Sequence, residues 1–236
     1  MTRLTDKGRA IRQMFDDIAP RYDLLNRLLS FGIDRRWRRR AVGQLRVPAD
    51  GRVLDVATGT GDVALEIARQ TAPSVRIVGA DFTQGMLVRG HAKVAASPHA
   101  GRIVLVNAAC EALPCRERCF DGVTIAFGIR NVVDRAAGLR EMARVLNPGG
   151  RLVILEFATP TNPLFRAVYL GYFHHLLPRL GGLLSRRSAY QYLPESVQGF
   201  PDRQAFLAMM AEAGLRDLQA IDLTGGIAVI YVGVKP

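Results

Sequence analysis

The sequence predicts an α/β fold: a seven-stranded, mostly parallel sheet with helices on both faces. Three observations predict it. Short apolar, β-branched runs alternate with amphipathic helical stretches from Arg52 to Phe157. The runs are apolar throughout rather than alternating, as strands buried on both faces must be. The C-terminal stretch then changes rhythm to helix, strand, tight turn, strand, which brings one antiparallel strand to the edge of the sheet.

In chain order, residues 1–46 read as a helical cap. "IRQMFDDIAPRYDLLNRLLSFGIDRRWRRRAV" has apolar residues at helical spacing, broken at Pro20 and Gly32. "RVLDVA" is the first strand and "GDVALEIARQ" a helix. "VRIVGAD" and "TQGMLVRGHAKVA" repeat the pair, "RIVLVNA" is a third strand, and "FDGVTIAFG" with "AAGLREMARVL" a fourth strand and helix. "NPGG" reads as a turn before the fifth strand, "RLVILEF". Residues 158–200 interrupt the alternation with a basic, aromatic, Pro/Gly-punctuated insertion. "DRQAFLAMMAEAGL" is a helix ending at Gly214, and "RDLQAIDLTGGIAVIYVGVK" a hairpin around Gly225-Gly226. Without repeats or a linker-like boundary, residues 1–236 read as one domain.

Composition narrows the functions. The 236 residues carry a formal charge of +11, almost all of it arginine, since lysine occurs only at Lys7, Lys93 and Lys235. Such a balance suits phosphates on nucleic acid or on anionic membranes. The three cysteines, Cys110, Cys115 and Cys119, are odd in number and lack zinc-site spacing, so they read as reduced thiols in a cytoplasmic protein. The most apolar stretch, Leu164 to Leu184, carries Arg166, His174, His175, Pro178 and Arg179, which argues against a membrane span.

The turn Gly59-Thr60-Gly61 follows the first strand, where open α/β sheets bind ligands at strand carboxyl ends. Glycines there let backbone pass close to a ligand. "GTGDVA" also fits the dinucleotide fingerprint, and Asp81, about 20 residues on, would suit an NAD ribose. Three features favour S-adenosylmethionine instead. Asp55, inside the first strand, suits a cationic ammonium. Asn107-Ala108 ends the third strand with a polar and small pair fit for an adenine edge. The C-terminal antiparallel strand completes the pattern. Asp81 would then take the ribose hydroxyls, Thr58 would face the same ligand, and Phe82 and Met86 would pack over the adenine. No metal is required. An RNA-binding module is the third reading, but it leaves Asp55, Asp81 and Asn107 unexplained.

"DVATGTGDVA", "FDGVTIAFGIRNV", "LREMARVLNPGGRLVILEF", "YQYLPESVQGFPDR" and "LTGGIAVIYVGVK" closely resemble the C-methyltransferases of menaquinone and ubiquinone biosynthesis. The likeness runs from Val47 to Lys235, and "MFDDIAPRYDLLNRLLSFGIDRRWRR" extends it to Met14. It implies a Rossmann-like class I methyltransferase fold and methyl transfer from S-adenosylmethionine to a ring carbon of a prenylated quinol. Demethylmenaquinol is the first expectation, and the benzoquinol precursor of ubiquinone the alternative. Cofactor positions of the family match Thr58, Asp81 and Asn107-Ala108. Ala126 stands where relatives often have serine, so that contact is not carried over.

For the chemistry, Arg130 would stabilise the phenolate, directly or through water, or else pair with an acid such as Asp134. Asn131 would orient a hydroxyl, and Tyr22, with Asp23, would close from the cap. The expected partners are the quinol and an anionic membrane surface on the inner face of the cell membrane, met by Arg166, Arg179, Arg186 and Arg187 and by "RRWRRR", Arg35 to Arg40. Nucleic acid is not expected, and a homodimer is allowed for.

Overall fold

A computed structural model describes residues 6–19, 30, 32–164 and 196–236, together with Arg166, Gly171, Tyr192 and Pro194. Two cap helices, α1 (Asp6–Ile18) and α2 (Asp34–Val42), precede β1 (Arg52–Val56), α3 (Asp62–Gln70), β2 (Arg76–Asp81), α4 (Gln84–Ala95) and β3 (Ile103–Asn107). Then come β4 (Phe120–Ala126), a 3-10 turn (Ile129–Asn131), α5 (Arg135–Val145), β5 (Leu146–Phe157), α6 (Arg203–Glu212), β6 (Arg216–Leu223) and β7 (Ala228–Val234).

The strand order is β3-β2-β1-β4-β5-β7-β6. β1 pairs in parallel with β2 and β4, and β4 with β5, while β7 runs antiparallel to both β5 and β6. The expected antiparallel strand therefore lies one strand in from the edge, and β6 is the edge. The order reverses between β2-β1 and β1-β4, which opens a crevice at the carboxyl ends of those strands.

Strand periodicity splits the apolar residues into two cores. Leu54, Val56, Val123, Ile125, Leu152 and Ile154 join α5 and α6 through Leu139, Met142, Phe206 and Met210. Val53, Ile77, Leu105, Val153 and Leu155 join α2, α3 and α4 through Trp37, Ile67, Leu87 and Val94. All-apolar strands are what two covered faces demand. Asp134 caps α5 by accepting from Ala137 N–H at 2.9 Å, and Asp202 caps α6 by accepting from Ala205 N–H at 2.8 Å. "NPGG" is not a separate turn: β5 starts at Leu146, and its register against β4 jumps between Phe120 and Gly122 to take up the extra residues.

Trp37 fixes α2 to the sheet. Its ring lies 6.3 Å from Phe127 and 6.1 Å from Phe157, and its Nε1 donates to Thr224 Oγ1 at 2.9 Å. The "RRWRRR" run is thus divided. Trp37 is buried and Arg38 pairs with Asp34 and Asp62, while Arg35, Arg36, Arg39 and Arg40 stay exposed. No helix among the described residues is long and apolar enough to cross a membrane.

Candidate active site

A cleft at the carboxyl ends of β1, β2 and β4 is lined by Phe15, Ala57, Gly59, Asp81, Phe82, Thr83, Met86, Ala126, Phe127, Gly128 and Asn131. Ala57 (φ 51°) and Phe127 (φ 56°), just past β1 and β4, hold left-handed backbone without being glycine. Such positions cost on the order of 1–3 kcal/mol and persist where surrounding structure fixes them. Gly59 (φ 56°) has open space where a Cβ would point, so a ligand can approach the turn.

Asp81 closes β2 and faces this turn. Its Oδ2 accepts from Gly59 N–H and its Oδ1 from Thr83 N–H, each at 2.8 Å. Burial pushes its carboxyl above the ordinary range, against those hydrogen bonds. Each oxygen keeps acceptor capacity toward the cleft. Phe82 and Met86 supply apolar wall beside it.

Five of the expected residues, Gly59, Asp81, Phe82, Met86 and Asn131, meet in the cleft. Others serve it from behind. Asp55 is 1 % exposed, accepting from Thr58 Oγ1 at 2.6 Å and Thr124 Oγ1 at 2.8 Å. It ties β1, the turn and β4 together from the strand face it shares with Val53. The Thr58 hydroxyl is engaged by Asp55, to which it donates. Gly61 (φ 82°) starts α3. Asn107 Nδ2 and Ala108 N–H both donate to the Asp81 carbonyl at 3.0 Å, so this pair braces Asp81 instead of lining the cleft.

Arg130 also differs from expectation. Its NH1 donates to Glu156 Oε1 at 2.7 Å and to Phe127 O at 2.5 Å, and the side chain is 8 % exposed. Its partner is Glu156, fully buried, because a carboxylate inside apolar β5 must find a cation. Asp134, the partner considered from sequence, caps α5 instead. Arg130 Nε and Arg135 Nε are buried without an acceptor among the described residues. Asn131 Oδ1 accepts from Tyr192 O–H at 2.9 Å. Tyr22, Asp23, His174, His175, Arg179, Arg186 and Arg187 lie outside the described residues.

Sequence reasoning missed Phe15, Thr83, Phe127, Glu156 and Tyr192. Glu156 carried a signal as the lone acid in "LVILEF", and Phe127 and Tyr192 lie inside the quoted motifs "FDGVTIAFGIRNV" and "YQYLPESVQGFPDR". The cysteines are free thiols, with burial pushing Cys110 far up.

Comparison with known proteins places the chain in a family. The chain is 63% identical over 235 residues to the ubiquinone/menaquinone biosynthesis C-methyltransferase UbiE of Geobacter sulfurreducens, covering 100% of this chain and 92% of the relative. It is 52% identical over 224 residues to the demethylmenaquinone methyltransferase of Thermus thermophilus, covering 94% of this chain and 100% of the relative. A solved SAM-dependent methyltransferase from Aquifex aeolicus shares the fold at TM-score 0.62 and 14% identity, covering 84% of this chain and 89% of that one. The match to the family runs over residues 1–235 and takes in both the glycine turn and the Arg130–Glu156 pair: this chain belongs to the ubiE/COQ5 methyltransferase family.

Proposed function

We propose that this methyltransferase moves the methyl group of S-adenosylmethionine to a ring carbon of a prenylated quinol, demethylmenaquinol first. The observation that carries the reading is the cleft itself. One wall is an acid already oriented by two backbone N–H groups, and the other is an apolar and amide surface with the buried Arg130 side chain beside Asn131 in the same turn. Nicotinamide and RNA readings fall away with the family membership.

The bound cosubstrate supplies an electrophilic methyl on a sulfonium. Asp81 holds its ribose hydroxyls by charge-assisted hydrogen bonds, and Gly59 and Gly61 let the backbone come close. Phe82 and Met86 pack on its adenine. Asp55, Thr58, Asn107 and Ala108 act through these residues by fixing the turn and the end of β2. Phe15, Phe127 and Met86 keep water out, which strengthens every electrostatic contact inside.

A hydroxyl neighbouring the reacting ring carbon gives its proton to solvent as the acceptor binds. The ring carbon then bonds the methyl as the methyl–sulfur bond breaks and S-adenosylhomocysteine leaves, and that carbon's own hydrogen departs as a proton while the oxygen regains one. Asn131 orients that hydroxyl, with its own amide fixed by Tyr192. Arg130 and Arg135 favour the phenolate by their positive field, with Glu156 the carboxylate that balances Arg130. Tyr22 remains a proposed cap residue. Residues 1–236 act as one domain, with the insertion 158–200 assigned by its basic and apolar sequence to substrate and an anionic membrane surface; the enzyme works in the cytoplasm, peripheral to the membrane's inner face.

The test is methyl transfer from labelled S-adenosylmethionine to reduced demethylmenaquinol, with the reduced benzoquinol precursor of ubiquinone in parallel and Asp81→Ala as control. Label in the naphthoquinol that vanishes with Asp81→Ala supports the reading. The Geobacter relative's name covers both quinones, so label in both acceptors would make this enzyme dual. Label in neither would overturn the acceptor assignment.

A further inference from the structure

The N-terminus of α4 is capped from outside its own segment. Thr83 occupies the N-cap position without a side-chain cap, and the first turn of α4 contains no acid. Asp16, on α1, supplies the missing acceptor: its Oδ1 accepts from Gly85 N–H at 2.9 Å. Its Oδ2 lies 3.9 Å from Arg12 Nε, one turn back on the same helix. A carboxylate at this position satisfies an orphan N–H and meets the positive end of the helix dipole.

The fit depends on Gly85 lacking a side chain. A Cβ there would lie 2.7 Å from Asp16 Oδ1 and 3.7 Å from the Ala19 Cβ. Ile11 and Ala19 are buried, so α1 is seated by an apolar stripe as well as by the cap. Phe15, adjacent to Asp16, forms the cap's contribution to the cleft wall, in the same cleft as Phe82, Thr83 and Met86 at the start of α4. Asp16 also adds, after burial, to the causes that raise the Asp81 carboxyl, which places its charge close to the cleft.

We propose that Asp16 is a cofactor-positioning residue: by capping α4 from α1 it holds Phe15 over the cleft and slows release of the S-adenosyl ligand. The assignment rests on the S-adenosylmethionine reading above. Asp16 itself need not touch the ligand. It acts through Phe15, so removing either residue removes the same wall.

The experiment is the dissociation rate of labelled S-adenosylhomocysteine, chased with unlabelled ligand, on the full-length protein. Asp16→Ala and Phe15→Ala are each expected to speed release about five- to tenfold, the equivalent of one lost helix cap. The double variant is expected to release no faster than the single ones, since both act on one contact. Asp16→Asn keeps an acceptor and is expected to hold the ligand nearly as the parent does. Gly85→Ala, which leaves Asp16 intact but crowds its seat, is expected to match Asp16→Ala; it serves as the independent variant if Asp16→Ala does not fold. Release from Asp16→Ala and Gly85→Ala at the parent rate would overturn the proposal, as would effects that multiply in the double variant. A folded parent that does not bind S-adenosylhomocysteine at all would instead overturn the cofactor reading beneath it.

Discussion

Asp55 lies beneath the glycine turn with a threonine hydroxyl on each carboxylate oxygen, and its protonation is coupled to folding. Burial pushes its carboxyl up to about 6, from 3.8 in an open chain. The folded state therefore holds the proton more tightly than the unfolded one. Below about pH 4 the group is neutral in both states and contributes nothing. Between about pH 4 and 6 the unfolded chain ionises while the folded carboxyl keeps its proton, so stability falls, by up to about 3 kcal/mol once pH has passed about 6. Asp55→Asn is expected to lose that slope, gaining on the parent between those pH values in urea unfolding; parallel curves would count against it. Glu156 is a fully buried carboxylate whose partner Arg130 is nearly as deep. Glu156→Gln leaves a buried guanidinium without its counter-charge and is expected to cost about 3–5 kcal/mol. The same variant should lower methyl transfer, because Glu156 also accepts from the backbone N–H of Arg130, in the turn that carries Asn131.

At the scale of elements, the cleft is assembled from strand ends, the first cap helix and the start of α4. The turn after β1 is open above Gly59, whose φ of 56° a side chain tolerates poorly. Gly59→Ala is expected to cost about 1–2 kcal/mol in stability and to weaken S-adenosylhomocysteine about tenfold or more, since the methyl points into the cleft. Calorimetric titration beside a thermal melt separates the two effects; a stability loss with unchanged affinity would place the ligand elsewhere. On the other side, Trp37 of α2 touches Phe127 and Phe157 and reaches Thr224. That contact joins the beginning of the chain to the C-terminal hairpin around the cleft floor.

At the scale of the whole molecule, charge and connectivity dominate. The net charge of +11 is spread on a surface where Arg35, Arg36, Arg39 and Arg40 of α2 are exposed. Co-sedimentation with anionic vesicles is expected at about 0.05 M salt and is expected to fall sharply by about 0.5 M, where screening shortens the reach of each charge. Replacing those four arginines with glutamine should reduce it. Equal binding to neutral vesicles would sink the electrostatic account.

The sequence by itself determined the sheet, its helices and the place of the glycine turn. Strand and helix periods are local, and Gly59, Asp81, Phe82 and Met86 sit at the junctions those periods define. It also determined the family, because long motifs such as "FGIRN" keep their residues in register. Only the tertiary structure decided where charges point. Asp55 and Arg130 are polar residues near the cleft, yet each is claimed by a partner distant in sequence, Thr124 and Glu156. Phe15 and Asp16 reach the site because α1 packs on α4, across about 70 residues of chain. Partner choice for a buried charge is a long-range competition against desolvation, and no local pattern records its outcome.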